Sequence, residues 1–260
     1  MVTGIFTLIN NEVTSLGIGG VQQLSGMVGN GSNLFVGYPM QMYYGYVTDG
    51  VFLNTSEVAS WPNQTKVNPS SQAGDFRYKD LNGDGKVDQA DQKYLGSSIP
   101  KYNYSLNLEV GYSGIDIKAF LQGVAEVSGT LTGYAGIAFN NLGTIQRWQA
   151  DGHFDPANPV RYPAYPRLQA FSNTTPPNYV QSDYWVLNAA YTRLKNLQVG
   201  YTLPKSILKE SGIEKVRIYF SGDNLFTYKK YRQGWDPEIR TDGSYYPILA
   251  TYSFGVNLNF

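Results

Sequence analysis

The last eleven residues, ATYSFGVNLNF, constrain the fold of this chain more than any other segment. Apolar side chains occupy every second position, and small or polar side chains lie between them: the apolar set is Ala250, Tyr252, Phe254, Val256, Leu258 and Phe260. Because a β-strand directs alternate side chains to opposite faces, the pattern predicts a strand with one apolar and one polar face. A tilted strand of about 9–11 residues crosses a bilayer, so a transmembrane strand fits this length. A strand that covers the core of an ordinary β-sandwich is the alternative.

A second alternating segment, residues 102–112, favours the membrane alternative. Tyrosine lies at both ends of its apolar face, with aliphatic residues between them, and small or polar residues form the other face. The Ser113-Gly114 pair is typical of a tight turn, and residues 115–127 return as the second strand of a hairpin. Aromatic residues at both ends of an apolar stripe are typical of strands whose ends lie at two membrane interfaces.

The rest of the chain predicts about seven or eight long strands joined alternately by short turns and long loops. Further strand regions fall in residues 4–16, 36–52, 184–203 and 216–228, with a loop at 17–31 and a helical turn at 204–212. Within residues 36–52, Pro39 and the glycines predict bends or an edge strand. Outer-membrane barrels have short periplasmic turns and long extracellular loops. If residue 260 ends on the periplasmic side, the turns at 113–114 and 204–214 are periplasmic. The loops at 128–183 and 229–246, and the loop that contains residues 80–91, are then extracellular.

The composition supports this fold class and excludes several others. Charged residues make up 15% of the chain, well below the usual quarter or so, and 22 Tyr and 28 Gly suit strands and aromatic girdles. No run of about 18 apolar residues predicts a transmembrane helix. Basic and acidic residues number 20 each, so no basic excess indicates a nucleic-acid partner. The prediction is an all-β protein, an antiparallel transmembrane β-barrel segment.

Residues 80–91, DLNGDGKVDQAD, match the pattern of an EF-hand calcium loop. The predicted ligands are Asp80, Asn82, Asp84, the backbone carbonyl of Lys86, Asp88 and Asp91 at loop positions 1, 3, 5, 7, 9 and 12. Gly85 stands at position 6, where the sharp turn requires glycine. Aspartate replaces the usual glutamate at position 12 and reaches less far. We therefore expect a structural calcium ion that fixes an extracellular loop; an Asp- and Gly-rich turn without an ion is the alternative.

No residue set indicates an enzyme. His153 is the single histidine, and the chain has no cysteine and no Ser-His-Asp arrangement, so a nucleophilic site has no candidates. Asp236 and Glu238 flank Pro237 and could act as the paired carboxylates of a glycosidase, but a turn with Pro237 between two acids is the favoured interpretation. Aromatic rings in the predicted extracellular loops suit contacts with a sugar; they are Trp148, Tyr162, Tyr165, Trp235, Tyr245 and Tyr246.

Four segments resemble the C-terminal part of SusC/RagA-type TonB-dependent outer-membrane transporters. They are DFRYKDLNGDGKVD from Asp75, SIPKYNYSLNLEVGYSGIDIKAFLQGV, YTRLKNLQVGYTLPKSILK and RIYFSGDNLFTYKKYRQGWDPE. The resemblance spans almost the whole chain. It implies import of glycan oligosaccharides or peptides across the outer membrane of a Gram-negative, Bacteroidota-like bacterium. It also implies a SusD-like surface lipoprotein and the TonB complex as partners.

The chain departs from that family in length. Members of the family have a signal peptide, a TonB-contacting segment, a plug domain and about 22 strands around a plugged lumen, whereas these 260 residues supply about a third of such a barrel. Residues 1–260 are therefore expected to be the C-terminal portion of a longer protein; a truncated gene and a free-standing eight-stranded barrel are the alternatives. Such a fragment contacts outer-membrane lipid but reaches TonB only through the missing N-terminal part. The alternative function is a secreted, calcium-binding β-sandwich that binds carbohydrate.

Overall fold

The computed structural model describes residues 1–15, 35–169, 177–209, 212–232, 234–239 and 245–260. The loop predicted at residues 17–31 lies outside these ranges. The strands within them are β1 (Val2–Leu8), β2 (Met42–Gly45), β3 (Thr48–Val51), β4 (Phe76–Tyr78), β5 (Lys93–Ser97), β6 (Tyr102–Tyr112), β7 (Ile115–Ala125), β8 (Ser128–Thr130), β9 (Val186–Asn188), β10 (Tyr191–Thr202), β11 (Lys215–Lys229) and β12 (Thr251–Asn259).

The helices in the same ranges are short. They are α1 (Thr55–Ser60), α2 (Gly133–Gly136), α3 (Arg147–Gly152) and α4 (Lys205–Leu208), with single 3₁₀ turns at Gln89–Asp91, Asn140–Leu142 and Pro177–Tyr179. None of the helices in the described part of the chain is long and apolar enough to cross a membrane.

The long strands form one six-stranded antiparallel sheet in the order β1-β6-β7-β10-β11-β12. Its pairing aligns apolar residues on neighbouring strands, for example Leu106 with Leu121 and Phe220 with Phe254. The prediction of an all-β protein with antiparallel sheets is confirmed. Within the described residues the two edge strands, β1 and β12, do not pair with each other, so the sheet is open rather than a closed barrel.

The turn between β6 and β7 follows the sequence prediction. Ser113 and Gly114 both have positive φ angles, 48° and 85°. A two-residue hairpin loop with φ > 0 at both positions matches the right-handed twist of the flanking strands. This local geometry fixes the register in which Tyr112 faces Ile115 and every later pair of the hairpin follows.

The prediction that residues 36–52 form one of the long strands is wrong, because this region does not join the main sheet. This region forms the four-residue strands β2 and β3, which pair with β5 and β4 in separate two-stranded sheets. Positive φ angles at Gln41 (53°) and Gly50 (72°) interrupt the extended backbone. The described residues therefore contain six long strands in the main sheet, and the expectation of about seven or eight is not met there.

Long connections leave the main sheet at one end and short connections at the other. The short ones are residues 113–114 and 203–214, and the long ones are residues 9–101, 126–190 and 230–250. The alternation inferred from the sequence is thus present in the topology. It arises because consecutive strands of the sheet run antiparallel, so every second connection falls at the same end.

The first two long connections, in their described residues 35–101, 126–169 and 177–190, pack together into what we call the loop body; residues 9–15 are not included in this name. Its core is largely aromatic and consists of Tyr46, Val51, Val67, Phe76, Tyr78, Val87, Ala138, Phe154, Tyr165 and Trp185. The rings of Tyr165 and Trp185 pack edge to face with centroids 6.0 Å apart. A long connection with its own core has a fixed structure at the end of the sheet, which a simple hairpin loop lacks.

Candidate functional site

One face of the main sheet is apolar and exposed. A single row of neighbouring residues across five strands shows the pattern: Val110, Ile117, Val199, Phe220 and Phe254. Their exposed fractions run from 41% to 73%. Soluble monomers rarely expose a contiguous apolar surface of this kind, so such a surface indicates contact with a membrane or another protein.

The opposite face of the same sheet is polar and carries paired charges. Lys118 on β7 bonds Glu109 on β6 at 2.6 Å. On the next strands, the amide of Asn196 donates to the carboxylate of Asp223 at 2.7 Å. Two faces of such different chemistry are what a strand needs when one side meets lipid and the other a water-filled lumen.

Arg217 connects three strands on this polar face. Its side chain, on β11, lies over Gly200 on β10 and forms an ion pair with Asp116 on β7. It also donates to Gln198 at 2.9 Å. A Cβ atom on Gly200 would lie closer than 3.0 Å to the guanidinium, so glycine at this position is what allows the arginine to cross.

The two acids considered as a glycosidase pair are engaged in a buried ionic cluster. Arg193, with 1% of its side chain exposed, donates to Glu238 at 2.5 Å and to Asp236. Lys195 adds a bond to Glu238 at 2.8 Å, and the Tyr191 hydroxyl adds another. We call these five residues the arginine clasp; it links residues 234–239 to the N-terminal end of β10.

The electrostatics of the clasp argue against acid catalysis. Burial opposes ionisation of Glu238, but the bonds from Lys195 and Tyr191 and the charge of Arg193 outweigh it and hold the pKa of that carboxyl below its usual value. The proton-donating carboxyl of a glycosidase needs a raised pKa. Glu238 therefore acts as the fixed anionic partner of a cation, which is a structural task.

The loop body contains a second buried charge at Asp75, whose side chain is completely buried. Its carboxylate pairs with Arg167 and accepts bonds from the Asn178 amide at 2.9 Å, the Asn68 amide at 3.1 Å and the backbone N–H of Gln72 at 3.0 Å. These donors come from segments far apart in the chain. Asp75 thus joins the two long connections that form the loop body.

An ion pair at the surface of the loop body links the same two connections. Arg161 donates two parallel bonds to Glu57, at 2.7 and 2.5 Å. This bidentate pairing, together with the backbone N–H of Leu53, lowers the pKa of Glu57 to about 2 against the effect of burial. Bidentate guanidinium–carboxylate pairs fix orientation as well as distance.

The six predicted calcium ligands lie in one loop whose side chains bond its own backbone. Asp80 accepts from the N–H groups of Gly83 and Gly85 at 2.6 and 2.8 Å, and Gly85 has the expected positive φ of 82°. Asp91 is fully buried and accepts from Leu81 and Asp88, each at 2.8 Å. Asn82, Asp84 and Asp88 each cap the N–H two residues ahead.

The chemistry of this loop fits a hard cation only in part. Its side chains supply carboxylate and amide oxygens, which calcium prefers, and hydrogen bonds from Gly85 and Gly83 overcome the effect of desolvation and keep the pKa of Asp80 low. Across the described residues, however, no group of three or more His, Asp or Glu side chains converges in a metal-binding arrangement. Lys86 can contribute its backbone carbonyl, as predicted, while its N–H bonds Asp84.

The calcium-like loop, residues 80–91, is held against the rest of the loop body by backbone pairing. The N–H of Asn63 donates to the Gly85 carbonyl at 3.0 Å, and the N–H of Val87 donates to the Asn63 carbonyl at 2.9 Å. The Val87 side chain is completely buried in the aromatic core. Any ion that organised this loop would therefore also stabilise the loop body.

Four of the six aromatic residues predicted to face a sugar divide into two groups, while Trp235 and Tyr245 pack against each other at 5.2 Å. Tyr165 is fully buried, and the half-buried Trp148 packs edge to face against it at 5.3 Å, with the guanidinium of Arg232 4.0 Å from the Trp148 ring centroid. Tyr162 and Tyr246 are exposed, at 72% and 78%. His153 bonds the carbonyl of Ala150 through Nδ1 at 2.7 Å, which suits a helix-end contact.

A cleft of about 670 Å³ is lined by the loop body and by residues 9–12, which follow β1. Its walls include Asn11, Tyr94, Ser97, Glu126 and Asn188. Its volume lies in the range of roughly 300–1,000 Å³ typical of ligand pockets. Sequence patterns gave no sign of it, because its lining comes from five separate segments of the chain.

Comparison with proteins of known family gives a consistent result. No protein-family model matches the chain. TonB-dependent receptor P3 of Formosa agariphila is 29% identical over 239 residues, which is 84% of this chain and 22% of the relative. TonB-dependent receptor SusC of Bacteroides thetaiotaomicron is 34% identical over 83 residues, which is 30% of this chain and 8% of the relative.

Solved structures show the same fold. The RagAB peptide transporter superposes on the whole chain with a TM-score of 0.71 at 20% identity, over 27% of the solved chain. This chain spans about a fifth of the length of the curated relatives that match most of it. The names of these relatives are those of receptors and transporters, in agreement with a non-enzymatic protein. The chain is therefore similar, over most of its length, to one part of TonB-dependent receptors, and the resemblance to the SusC/RagA type indicated by its motifs is confirmed.

Proposed function

We propose that this chain forms part of the barrel wall of a SusC/RagA-type, TonB-dependent transporter in the outer membrane. The observation that carries the proposal is the six-stranded sheet with one exposed apolar face and one polar, charged face. In this arrangement the apolar face contacts lipid and the polar face lines the lumen. The loop body, which includes the calcium-like loop of residues 80–91, then lies outside the cell, and the turns at residues 113–114 and 203–214 face the periplasm.

In the longer protein this wall would take part in nutrient import. We infer that residues 1–260 correspond to its C-terminal portion, that a SusD-like lipoprotein contacts the loop body, and that TonB acts through the remainder of the polypeptide. The transport substrate is an oligosaccharide or a peptide; the likeness to a structure described as a peptide transporter supports the second class. The cleft beside Tyr94 and Glu126 is a candidate contact for either.

The rival function, a secreted carbohydrate-binding β-sandwich, requires a second sheet over the apolar face. The other sheets among the described residues are two-stranded. Phe76 of β4, and Tyr46, which follows β2, pack into the core of the loop body and do not cover the apolar face. Exposed fractions of 65% at Tyr252 and 73% at Phe254 show that the apolar face of β12 is uncovered. A sandwich strand would bury these rings.

An arginine scan of β6 tests the membrane proposal by depth. Replacing Leu106, at the middle of the apolar face, by arginine is expected to reduce the free energy of unfolding from lipid vesicles by about 2–4 kcal/mol. Tyr112→Arg, at the strand end, should cost only about 0–1 kcal/mol because the charge reaches the interface. Asn107→Arg, on the polar face, is the matched control. Equal costs at Leu106 and Tyr112 in denaturant titrations would contradict the proposal.

We further propose that residues 80–91 bind one calcium ion with a structural role. The support is the position of six oxygen-bearing residues in one twelve-residue loop with glycine at its sixth position. Saturating calcium, at about a hundredfold above Kd, should then add about 2.7 kcal/mol to the stability of the folded state. Calorimetry should show one bound ion per chain.

The calcium proposal has a matched pair of variants. Asp84→Ala should abolish both the heat of binding and the loss of thermal stability that a chelator causes. Asp155→Ala removes a comparable aspartate, which caps the N–H of Ala157 at 2.9 Å in a different loop, and should leave calcium binding intact. Thermal unfolding that is insensitive to the chelator in the unmodified protein would show that the loop is an ion-free turn.

A further inference from the structure

Twice in the main sheet a long side chain crosses a glycine on the neighbouring strand and bonds the strand beyond it. On the apolar face, Tyr104 of β6 lies over Gly123 of β7, and its hydroxyl is 2.5 Å from Oγ1 of Thr192 on β10. A Cβ atom on Gly123 would lie closer than 3.0 Å to both Cζ and the hydroxyl of the tyrosine. Gly123 therefore leaves room for the tyrosine ring, and the hydroxyl of Thr192 is the hydrogen-bond partner on the next strand.

The second crossing occurs on the polar face with a different pair of side chains. Arg217 of β11 passes over Gly200 of β10 and reaches Asp116 of β7, as described above. Both crossings tie three consecutive strands, and both end on a short side chain with a hydrogen-bonding oxygen. In both cases the long side chain passes over a glycine and bonds the residue opposite that glycine on the next strand.

A third crossing reaches the edge of the sheet. Tyr219 of β11 pairs with Gly255 of β12 and lies over it. A Cβ atom on Gly255 would again lie closer than 3.0 Å to Cζ and the hydroxyl, as it would at Gly123 under Tyr104. Here, however, β12 is the edge strand. Among the described residues no hydrogen-bond partner of the Tyr219 hydroxyl is present, so the crossing ends at an open edge.

We infer that Tyr219 is a register-setting residue for a further transmembrane strand that pairs antiparallel with β12. The inference rests on the proposed function, because it takes the added strand from the same barrel wall. The residue of that strand opposite Gly255 carries a short side chain with a hydroxyl, amide or carboxylate group, and Tyr219 bonds it across the glycine. A one-residue slip would move this partner to the lipid face and leave the tyrosine unbonded.

The chemistry of the added strand follows from the exposed edge. Its outward side chains must be apolar, because they continue the surface formed by Phe254 and Val256. Its inward side chains must be polar, because they continue the face that includes Ser253 and Asn257. Antiparallel pairing to β12 would satisfy the open row of backbone N–H and C=O groups, which lipid does not tolerate.

A strand-addition experiment on the full 260-residue chain in detergent micelles tests the inference. The probe is a synthetic eleven-residue peptide with valine at alternate positions, one central threonine, and glutamine at the remaining positions; a second peptide has alanine in place of the threonine. The chain contains no cysteine, so an Asn257→Cys variant accepts one spin label. A label on the peptide then reports both affinity and register by distance measurement.

The expected result is specific to one hydroxyl. The threonine peptide should bind with a single narrow distance distribution, and Tyr219→Phe should weaken its binding about fivefold, the effect of one hydrogen bond, and broaden the distribution. The alanine peptide should not distinguish Tyr219 from phenylalanine. Tyr252→Phe, which removes a hydroxyl from the apolar face of β12 itself, should change neither measurement.

Three results would overturn the inference. They are the absence of peptide binding at β12, an equal effect of Tyr219→Phe and Tyr252→Phe, and close label-to-label distances in the chain without peptide, which would mean that a second copy occupies the edge. Failure of the proposed function would be seen separately, as uniform costs in the arginine scan of β6. The two experiments share no substituted residue, so one can fail while the other succeeds.

Discussion

Replacement of Arg193 by methionine is expected to lower the free energy of unfolding by about 3–5 kcal/mol, the cost of removing one partner from a buried ion pair. Methionine fills similar space but leaves Asp236 and Glu238 without the cation that binds both. Lys195 is then the one cation of the clasp that remains beside Glu238. The uncompensated carboxylates, more than the lost attraction, produce the cost. Denaturant titration of the folded protein measures it.

Two further variants separate these contributions. In a triple variant, Arg193→Met with Asp236→Asn and Glu238→Gln, no anion is left unpaired, and much of the lost stability should return. Arg147→Met is the matched control, because the pair between Arg147 and Asp151 is exposed, at 94% and 67%, and exposed pairs contribute about 0–1 kcal/mol. Proteolysis between residues 234 and 239 should accelerate in Arg193→Met alone. A single variant as stable as the unmodified protein would show that the clasp is dispensable.

The second large effect is expected at Asp75. Asp75→Ala should destabilise the loop body by about 3–5 kcal/mol, because Arg167 and the amides of Asn68 and Asn178 lose a buried charged partner. Trp185, in the core of the loop body, gives a fluorescence signal for its unfolding. The loss should be local, since the strands of the main sheet do not depend on this carboxylate.

The local character of this loss provides the check. Hydrogen exchange in β6 and β7 should remain slow in Asp75→Ala while amides of the loop body exchange faster. Asp183→Ala is the control: Asp183 also accepts two bonds, from the N–H and hydroxyl of Thr48 at 2.9 and 2.7 Å, but it is more exposed. About 1 kcal/mol is expected there. Equal losses of stability in Asp75→Ala and Asp183→Ala would mean that the burial of Asp75 does not increase its contribution to the stability of the loop body.

Sequence periodicity was sufficient to predict the bounds of two long strands of the main sheet. The bounds of β6, Tyr102–Tyr112, are those predicted from alternation, and β12 differs from its prediction by one residue at each end. A two-residue period describes each strand by itself and needs no knowledge of its neighbours. Residues 36–52, predicted as a strand region dense in tyrosine, form two four-residue strands instead, and Tyr46 packs into the core of the loop body.

The sequence by itself thus determined the two-faced strands, the hairpin turn and the ends at which connections are long or short, because these properties depend on residues close together in the chain. The tertiary structure alone decided the pairings of the charged residues. Arg193 meets Asp236 and Glu238 from 43 and 45 residues away, and Asp75 meets Arg167 and Asn178 from 92 and 103 residues away. No local pattern marks such partners, because each pair forms only after separate segments have packed and excluded water from both charges.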